Sequence, residues 1–202
     1  MFHGISGGVL QALEQSPLGI ANLDLLASLR FGSRNSLKVT IARLGKAGRL
    51  LRLKRGAYSV SPMKDALACA QATFNGYLGF SAALHVHKLI IETPFVITVV
   101  TSAYSGSKRF GEYEFRAVAL KEKAVGFEKK GAYAVSSRAK TLFDCLYLPQ
   151  YSVEYSKLIG AYRQAKLSPA EWREFDSYVK RFAKAKAGKR MAQAKKAIRA
   201  NG

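Results

Sequence analysis

The stretch SRNSLKVTIARLGKAGRLLRLKRGAYSV, residues 33–60, switches its apolar period at Gly48, and the fold is read outward from that switch. Before it, Leu37, Ile41 and Leu44 recur at i, i+4 and i+7, one face of a helix over 34–47. Ser33 stands where a hydroxyl caps a first turn, and Gly48 where a helix stops. At roughly 100° per residue, Asn35, Lys38, Val39, Ala42 and Lys46 fall on the opposite side. After it, RLLRLK (49–54) alternates as a strand, Arg55-Gly56 turns the chain, and AYSV (57–60) returns as its partner.

Toward the N-terminus, residues 5–15 read as a helix with Ile5, Val9, Leu10 and Leu13 on one face, stopped by Ser16-Pro17. A shorter helix over 22–30 carries Leu23, Leu25, Leu26 and Leu29, with Asn22 as its cap and Phe31-Gly32-Ser33 as a tight turn after it. Three helices followed by a hairpin is the order of a winged helix-turn-helix, expected to occupy residues 1–61 and to close at Ser61-Pro62. Such a module reads duplex DNA by laying a rigid helix in a groove about 12 Å wide. Arg34 and Asn35 are then the residues for base edges, because Arg pairs bidentately with guanine and Asn with adenine. Val39 would meet a thymine methyl group, and Ser33, Lys38 and Lys46 complete the helix's share. Arg43 and Arg49 would hold backbone phosphate, while Arg52, Lys54 and Arg55 arm the hairpin. Residues 1–60 hold nine Lys or Arg against two acids, Glu14 and Asp24, both expected to lie off the DNA face.

Whole-chain charge agrees. Thirty-three Lys and Arg oppose 13 acids in 202 residues, a formal +20, which favours a polyanionic partner and says nothing of fold. Cys69 and Cys145 lie far apart without metal-ligand spacing and are expected to be buried free thiols, as suits a reducing cytoplasm. The opening MFHGISGGVLQALEQS lacks the charged start and apolar run of a signal peptide. No stretch approaches the ~20 apolar residues of a membrane helix; the nearest, Leu89 to Val100, is interrupted by Glu92 and Pro94. The expectation is a cytoplasmic, nucleoid-associated DNA-binding protein with no membrane partner, no cofactor, no metal and no catalytic residues.

The rest of the chain reads as α+β: a mixed domain with a small sheet over 62–150, then C-terminal helices and a basic tail over 151–202. Helices are expected over 64–73 and 81–88, separated by Asn75-Gly76. PFVITVVT (94–101) reads as a buried strand, SAYSGSKRFG (102–111) as a polar loop and EYEFRAVAL (112–120) as a second strand. Lys129-Lys130-Gly131 reads as a turn into a third strand, 132–136. Ser137 caps a helix that ends near Tyr147 before Pro149. Helices follow over 152–164 and 169–187, the latter begun by Ser168-Pro169. From Lys180 onward there are nine Lys or Arg and no acid, read as an exposed helix that frays.

Several of these strings together resemble the AbiEi family, the antitoxin half of type IV toxin–antitoxin (abortive infection) systems. RLGKAGRLLRLKRGAYSV is similar to the family's recognition helix and wing. GYLGFSAALHVHKLI resembles its aromatic-rich segment, with Ser81, Ala83, Leu84 and His85 at positions the family favours. TPFVITVVTS, the basic loop and EYEFRAV resemble its central strands, and VSSRAKTLFDCLYLP its closing helix, with Arg138, Thr141, Leu142 and Asp144 matching. The resemblance spans roughly residues 5–150. It implies a winged-helix repressor of its own operon joined to a domain needed for antitoxicity. It also implies a nucleotidyltransferase-like toxin as functional partner, countered without a stable complex. Where family glutamates often precede the Arg-Thr-Leu of the closing helix, this chain has Ser137-Arg138-Ala139-Lys140, and no catalytic role is carried onto it.

Other signals point elsewhere. His85 and His87 lie about 200° apart on a helix, unlike an i, i+4 metal pair. Gly106-Ser107-Lys108 lacks the upstream glycine of a phosphate loop. It reads either as a mobile hairpin loop or, through Lys108 and Arg109, as a second phosphate contact. Glu128-Lys129-Lys130, with Glu112 or Glu114 upstream, could end a metal-dependent nuclease site. Trp172, Phe175, Val179 and Phe182 recur as a core stripe, beside a basic face of Lys180, Arg181, Lys184 and Lys186 that could hold nucleic-acid backbone. A pure RNA- or protein-interaction module in residues 63–202 is the other alternative.

Overall fold

In the computed structural model, which describes residues 4–200, the chain begins with helix α1 (Ile5–Gln15), strand β1 (Ile20–Asn22), and helices α2 (Leu23–Ser28) and α3 (Arg34–Lys46). Strands β2 (Leu50–Lys54) and β3 (Ala57–Val60) and helix α4 (Ala66–Phe74) follow. The caps expected from sequence form: the Asn22 side chain accepts from the Leu25 N–H at 2.7 Å, and Ser33 Oγ from the Ser36 N–H at 3.1 Å. Val9, Leu10, Leu13, Leu26, Leu37, Ile41, Leu44, Leu50 and Val60 form one buried cluster. Thr40, which interrupts the aliphatic spacing, is buried with them. In α1, a Cβ at Gly8 would meet the Phe31 ring at 2.6 Å, so a residue costly to helices allows that ring to close on the backbone.

β1 has no counterpart in the sequence reading. Its three residues are too few to show a period, yet they pair antiparallel with β3 (Ile20 opposite Ser59, Asn22 opposite Ala57) and make a sheet of order β1-β3-β2. Between β2 and β3 the register shifts at Arg52/Lys54, and Leu53 at that irregularity is fully buried, which anchors the hairpin. Gly56 turns the hairpin at φ 78°, a left-handed conformation that favours glycine.

The chain divides into two compact units, Met1–Thr73 and Phe74–Gly202, rather than at Ser61-Pro62 and again near residue 150. Residues 62–73 belong to the first unit: Asp65 Oδ1 accepts from the Ala68 N–H at 2.9 Å to start α4, and the Cys69 thiol meets Ser59 Oγ at 3.3 Å.

The second unit contains β4 (Tyr77–Leu78), α5 (Phe80–Val86), β5 (Val96–Thr101), β6 (Gly106–Phe110), β7 (Tyr113–Ala119), β8 (Phe127–Lys130) and β9 (Tyr133–Ser136). It ends with α6 (Arg138–Tyr147), α7 (Tyr155–Ala165), α8 (Pro169–Phe182) and α9 (Ala185–Arg199). Its strands form one mixed sheet of order β6-β7-β5-β4-β9-β8. The fold class is thus α+β, with a small sheet and helices in each unit.

Three expectations are corrected. Residues 102–111 are not a loop throughout, because 106–110 pair with β7 as β6. Lys129 and Lys130 are not a turn but the end of β8, and the reversal moves to Gly131 at φ 61°. Both are edge strands, and β8 is exposed along its whole length, so neither shows the buried alternation that marks a strand. The basic tail does not stand free either. The helix over 169–187 breaks after Phe182, and α9 buries Ala187, Met191, Ala194 and Ile198 in the same cluster as Leu142, Phe143 and Phe175. Residues 151–200 therefore share the core of the second unit. Among the described residues, no helix is long and apolar enough to cross a membrane.

Candidate functional site

Between α3 and the β2–β3 hairpin lies a cleft of about 800 Å³. Arg34 and Lys38 line it from α3, Arg52 and Lys54 from β2, and Arg55 from the turn. The inward set Leu37, Ile41 and Leu44 fixes α3 against α1, and Leu50 and Leu53 fix the hairpin beside it. Five of the sequence-predicted residues therefore share one concavity. Asn35, Val39 and Lys46 are exposed on α3 but do not line the cleft, and Val39 is half exposed. Arg43 and Arg49 are exposed at the end of α3 and before β2, also outside its walls. The Ser33 hydroxyl is engaged locally, in its cap and with Ser36 Oγ at 2.8 Å.

The expected absence of acid from this face is corrected for Asp24. α2 starts at Leu23, so Asp24 falls in its first turn and faces the start of α3. Arg34 Nη2 donates to Asp24 Oδ1 at 2.7 Å, with both side chains more than half exposed. Asp24 is the one acid among the described lining residues, so the cleft holds five cations against one carboxylate.

The second set of basic candidates lies in the other unit. Lys108 and Arg109 project from edge strand β6, Arg109 4.0 Å from Glu114, whose Oε1 accepts from Arg116 at 3.0 and 2.7 Å. Lys180, Arg181 and Lys184 are exposed around the end of α8, where Arg181 lies 4.8 Å from the Phe182 ring centroid. Trp172, Val179 and Phe182 pack against the core around buried Phe175, as their spacing indicated.

The carboxylates of the nuclease alternative are not brought together. Glu114 is on β7 and Glu128 on β8, near opposite edges of the sheet and roughly 19 Å apart at the usual strand spacing. Among the described residues, no group of three or more His, Cys, Asp or Glu could hold a metal ion. His87 is buried, its Nε2 2.7 Å from the Ser136 carbonyl and its Nδ1 3.1 Å from Lys130 Nζ. Those contacts make Nε2 the donor and Nδ1 the acceptor, and burial lowers the imidazole's pKa, so the ring stays neutral. Cys69 and Cys145 are buried free thiols, pushed up by burial to about 11 and about 12, which keeps both protonated and unreactive.

A feature without a sequence signal is the buried pair Lys140–Asp144 in α6, 2.5 Å apart with both side chains fully buried. Burial pushes the Asp144 carboxyl up to about 6 and the Lys140 ammonium down, so desolvation outweighs their attraction. Spaced i, i+4, the two look in sequence like any exposed helix pair. The neighbouring positions that carry the family resemblance also have structural work. Arg138 Nη2 donates to the Ala165 carbonyl at 2.7 Å and Thr141 Oγ1 to the Ser137 carbonyl at 2.8 Å.

No family model matches this chain, and no curated protein matches it. Among solved structures, it is similar to the crystal structure of the Rv2827c protein from Mycobacterium tuberculosis, with a TM-score of 0.64 and 13% identity. The match covers 96% of this chain and 77% of that one, and at such identity it is a likeness of fold.

Proposed function

We propose that residues 4–60 form a winged helix-turn-helix that binds duplex DNA, and that the chain is an autorepressor and the antitoxin of a type IV toxin–antitoxin system. One observation carries the DNA reading: Arg34, Lys38, Arg52, Lys54 and Arg55, from helix and hairpin alike, line a single open cleft. Cations converging from two elements can grip a phosphate backbone while the exposed face of α3, with Asn35 and Val39, reaches base edges. The element order α1-β1-α2-α3-β2-β3 and the sheet β1-β3-β2 also support it.

The regulatory part rests on the resemblance to AbiEi antitoxins. In this reading the DNA is the chain's own operator, and the protein works at the nucleoid in the cytoplasm without catalysis of its own. The functional partner is a nucleotidyltransferase-like toxin countered without lasting contact. The test is binding of the purified chain to its own upstream DNA and to random duplex over a range of salt. If Lys38, Arg52, Lys54 and Arg55 each neutralise one phosphate while Arg34 meets a base edge, log K should fall against log salt with a slope of about −3.6. A flat salt response, or equal affinity for random duplex, would sink the proposal.

A further inference from the structure

Charge is not confined to the first unit. Of the 33 Lys and Arg, 23 lie in Phe74–Gly202 with 10 of the 13 acids, a net +13 that the duplex cleft leaves unaccounted for. Part of that excess is focused. The ends of α7 and α9 and the first half of α8 flank an open cavity of about 530 Å³, a size suited to a small ligand. Arg163, Lys166, Arg173, Lys195 and Arg199 line it beside Trp172, over apolar Leu167 and Ile198.

Asp176 is the one acid among the described lining residues, and Lys195 Nζ engages both its oxygens at 2.7 Å. The same ammonium lies 5.5 Å from the Trp172 ring centroid. Arg163 donates Nε to the Ala197 carbonyl at 2.9 Å. Among the described residues, no ion pair engages Arg163, Lys166, Arg173 or Arg199. Lys166 ends α7 at φ 46°, a left-handed position usually given to glycine. A strained backbone there places a cation on the cavity wall instead.

We infer that this cavity binds a nucleoside phosphate. Phosphate oxygens match the arginine forks of Arg173 and Arg199, with Lys166 as a further charge. The base fits the Trp172 and Leu167 side, since indole and guanidinium surfaces are favoured stacking partners for bases. A simple inorganic anion would use the cations and leave the aromatic wall idle. The nucleoside phosphate could be a free mononucleotide or the phosphorylated end of an unpaired strand.

Trp172 is the chain's single tryptophan and lines this cavity, so in the folded chain its emission responds to a ligand bound there. The full chain is titrated with AMP, ATP, adenosine, pyrophosphate, and a short single-stranded oligonucleotide with and without a 5′-phosphate. Saturable quenching by AMP and ATP, with adenosine and pyrophosphate much weaker, is the expected result. Arg173→Ala and Arg199→Ala should each weaken it about 10-fold, whereas exposed Lys189→Ala, outside the cavity, should not change it. Phosphorylated oligonucleotide binding at least as tightly as AMP would assign the strand end as the ligand; weaker binding would assign the mononucleotide. Two results would overturn the inference: no saturable quenching by any phosphate-bearing ligand up to about 10 mM, or equal binding of pyrophosphate and AMP. Both variants lie in the second unit, so the outcome does not depend on whether the first binds duplex DNA.

Discussion

On the proposed DNA reading, Arg34 cannot meet a guanine edge and Asp24 at full strength together, since the 2.7 Å bond occupies one arm of its guanidinium. The pair is exposed, so it adds at most about 1 kcal/mol to stability, while its carboxylate repels any phosphate entering the cleft. Asp24→Asn should therefore leave the unfolding midpoint almost unchanged and tighten duplex binding several-fold at low salt, with the gain shrinking as screening rises. Fluorescence anisotropy would show this, and weaker binding would mean that Asp24 positions Arg34. By the same logic Arg34→Ala should relax sequence preference, while Arg55→Ala, at the hairpin turn, should weaken all duplexes alike. Equal losses on specific and random DNA would refute that division. The opposite physics governs Lys140 and Asp144, which no solvent screens. Asp144→Ala alone should cost about 3–5 kcal/mol in urea unfolding, because it strands a buried ammonium, whereas Lys140→Met with Asp144→Leu should be neutral or stabilising. The Asp144 carboxyl is raised from 3.8 to about 6 on folding. Its contribution to stability is thus fully present below pH 4 and is lost as pH rises to about 6, where the unfolded chain ionises first. The stability of the natural chain relative to that double variant should fall across this window. A difference independent of pH would show that the carboxyl is not raised.

Elements were legible in the sequence where a buried face met an exposed one. Leu37, Ile41 and Leu44 gave α3 its bounds within a residue, and Ser33, Asn22, Ser137 and Ser168 marked helix starts that their side-chain bonds bear out. Elements without that contrast were not legible. β1 and β4 are two or three residues long, and β6 and β8 lie at sheet edges with polar side chains on both faces. α9 was hidden differently: small alanines carry half of its buried stripe, and the eye follows the lysines between them. Its place in the core makes a prediction. Met191→Ala, at a fully buried site, should cost about 2–5 kcal/mol, while Lys189→Ala on the exposed side should stay within about 0.5 kcal/mol. Urea unfolding followed by Trp172 emission reads both, since that indole packs on Phe175 in the same cluster. Equal small effects would return α9 to the status of a frayed tail. The candidate site divides in the same way. Five cations of the cleft were named from spacing, but Asp24 was not, because its approach to Arg34 depends on how α2 turns into α3.

Over the whole molecule, two hydrophobic clusters with no residue in common coincide with the two units. A unit with its own core can lose its surface chemistry without unfolding the other. If the DNA reading is right, reversing charge at Lys38 and Arg55 should remove operator binding by more than the loss of two contacts, since each Glu also repels phosphate. The helix and hairpin would remain, because both side chains line an open cleft rather than a core. If the antitoxin reading holds as well, Lys38→Glu with Arg55→Glu, in a cell carrying the cognate toxin, should then derepress a reporter fused to the operator while growth rescue persists. The two readouts part only if repression resides in Met1–Thr73 and antitoxicity in Phe74–Gly202. Loss of rescue together with repression, from a protein that still unfolds cooperatively, would mean that neutralisation itself passes through the cationic cleft.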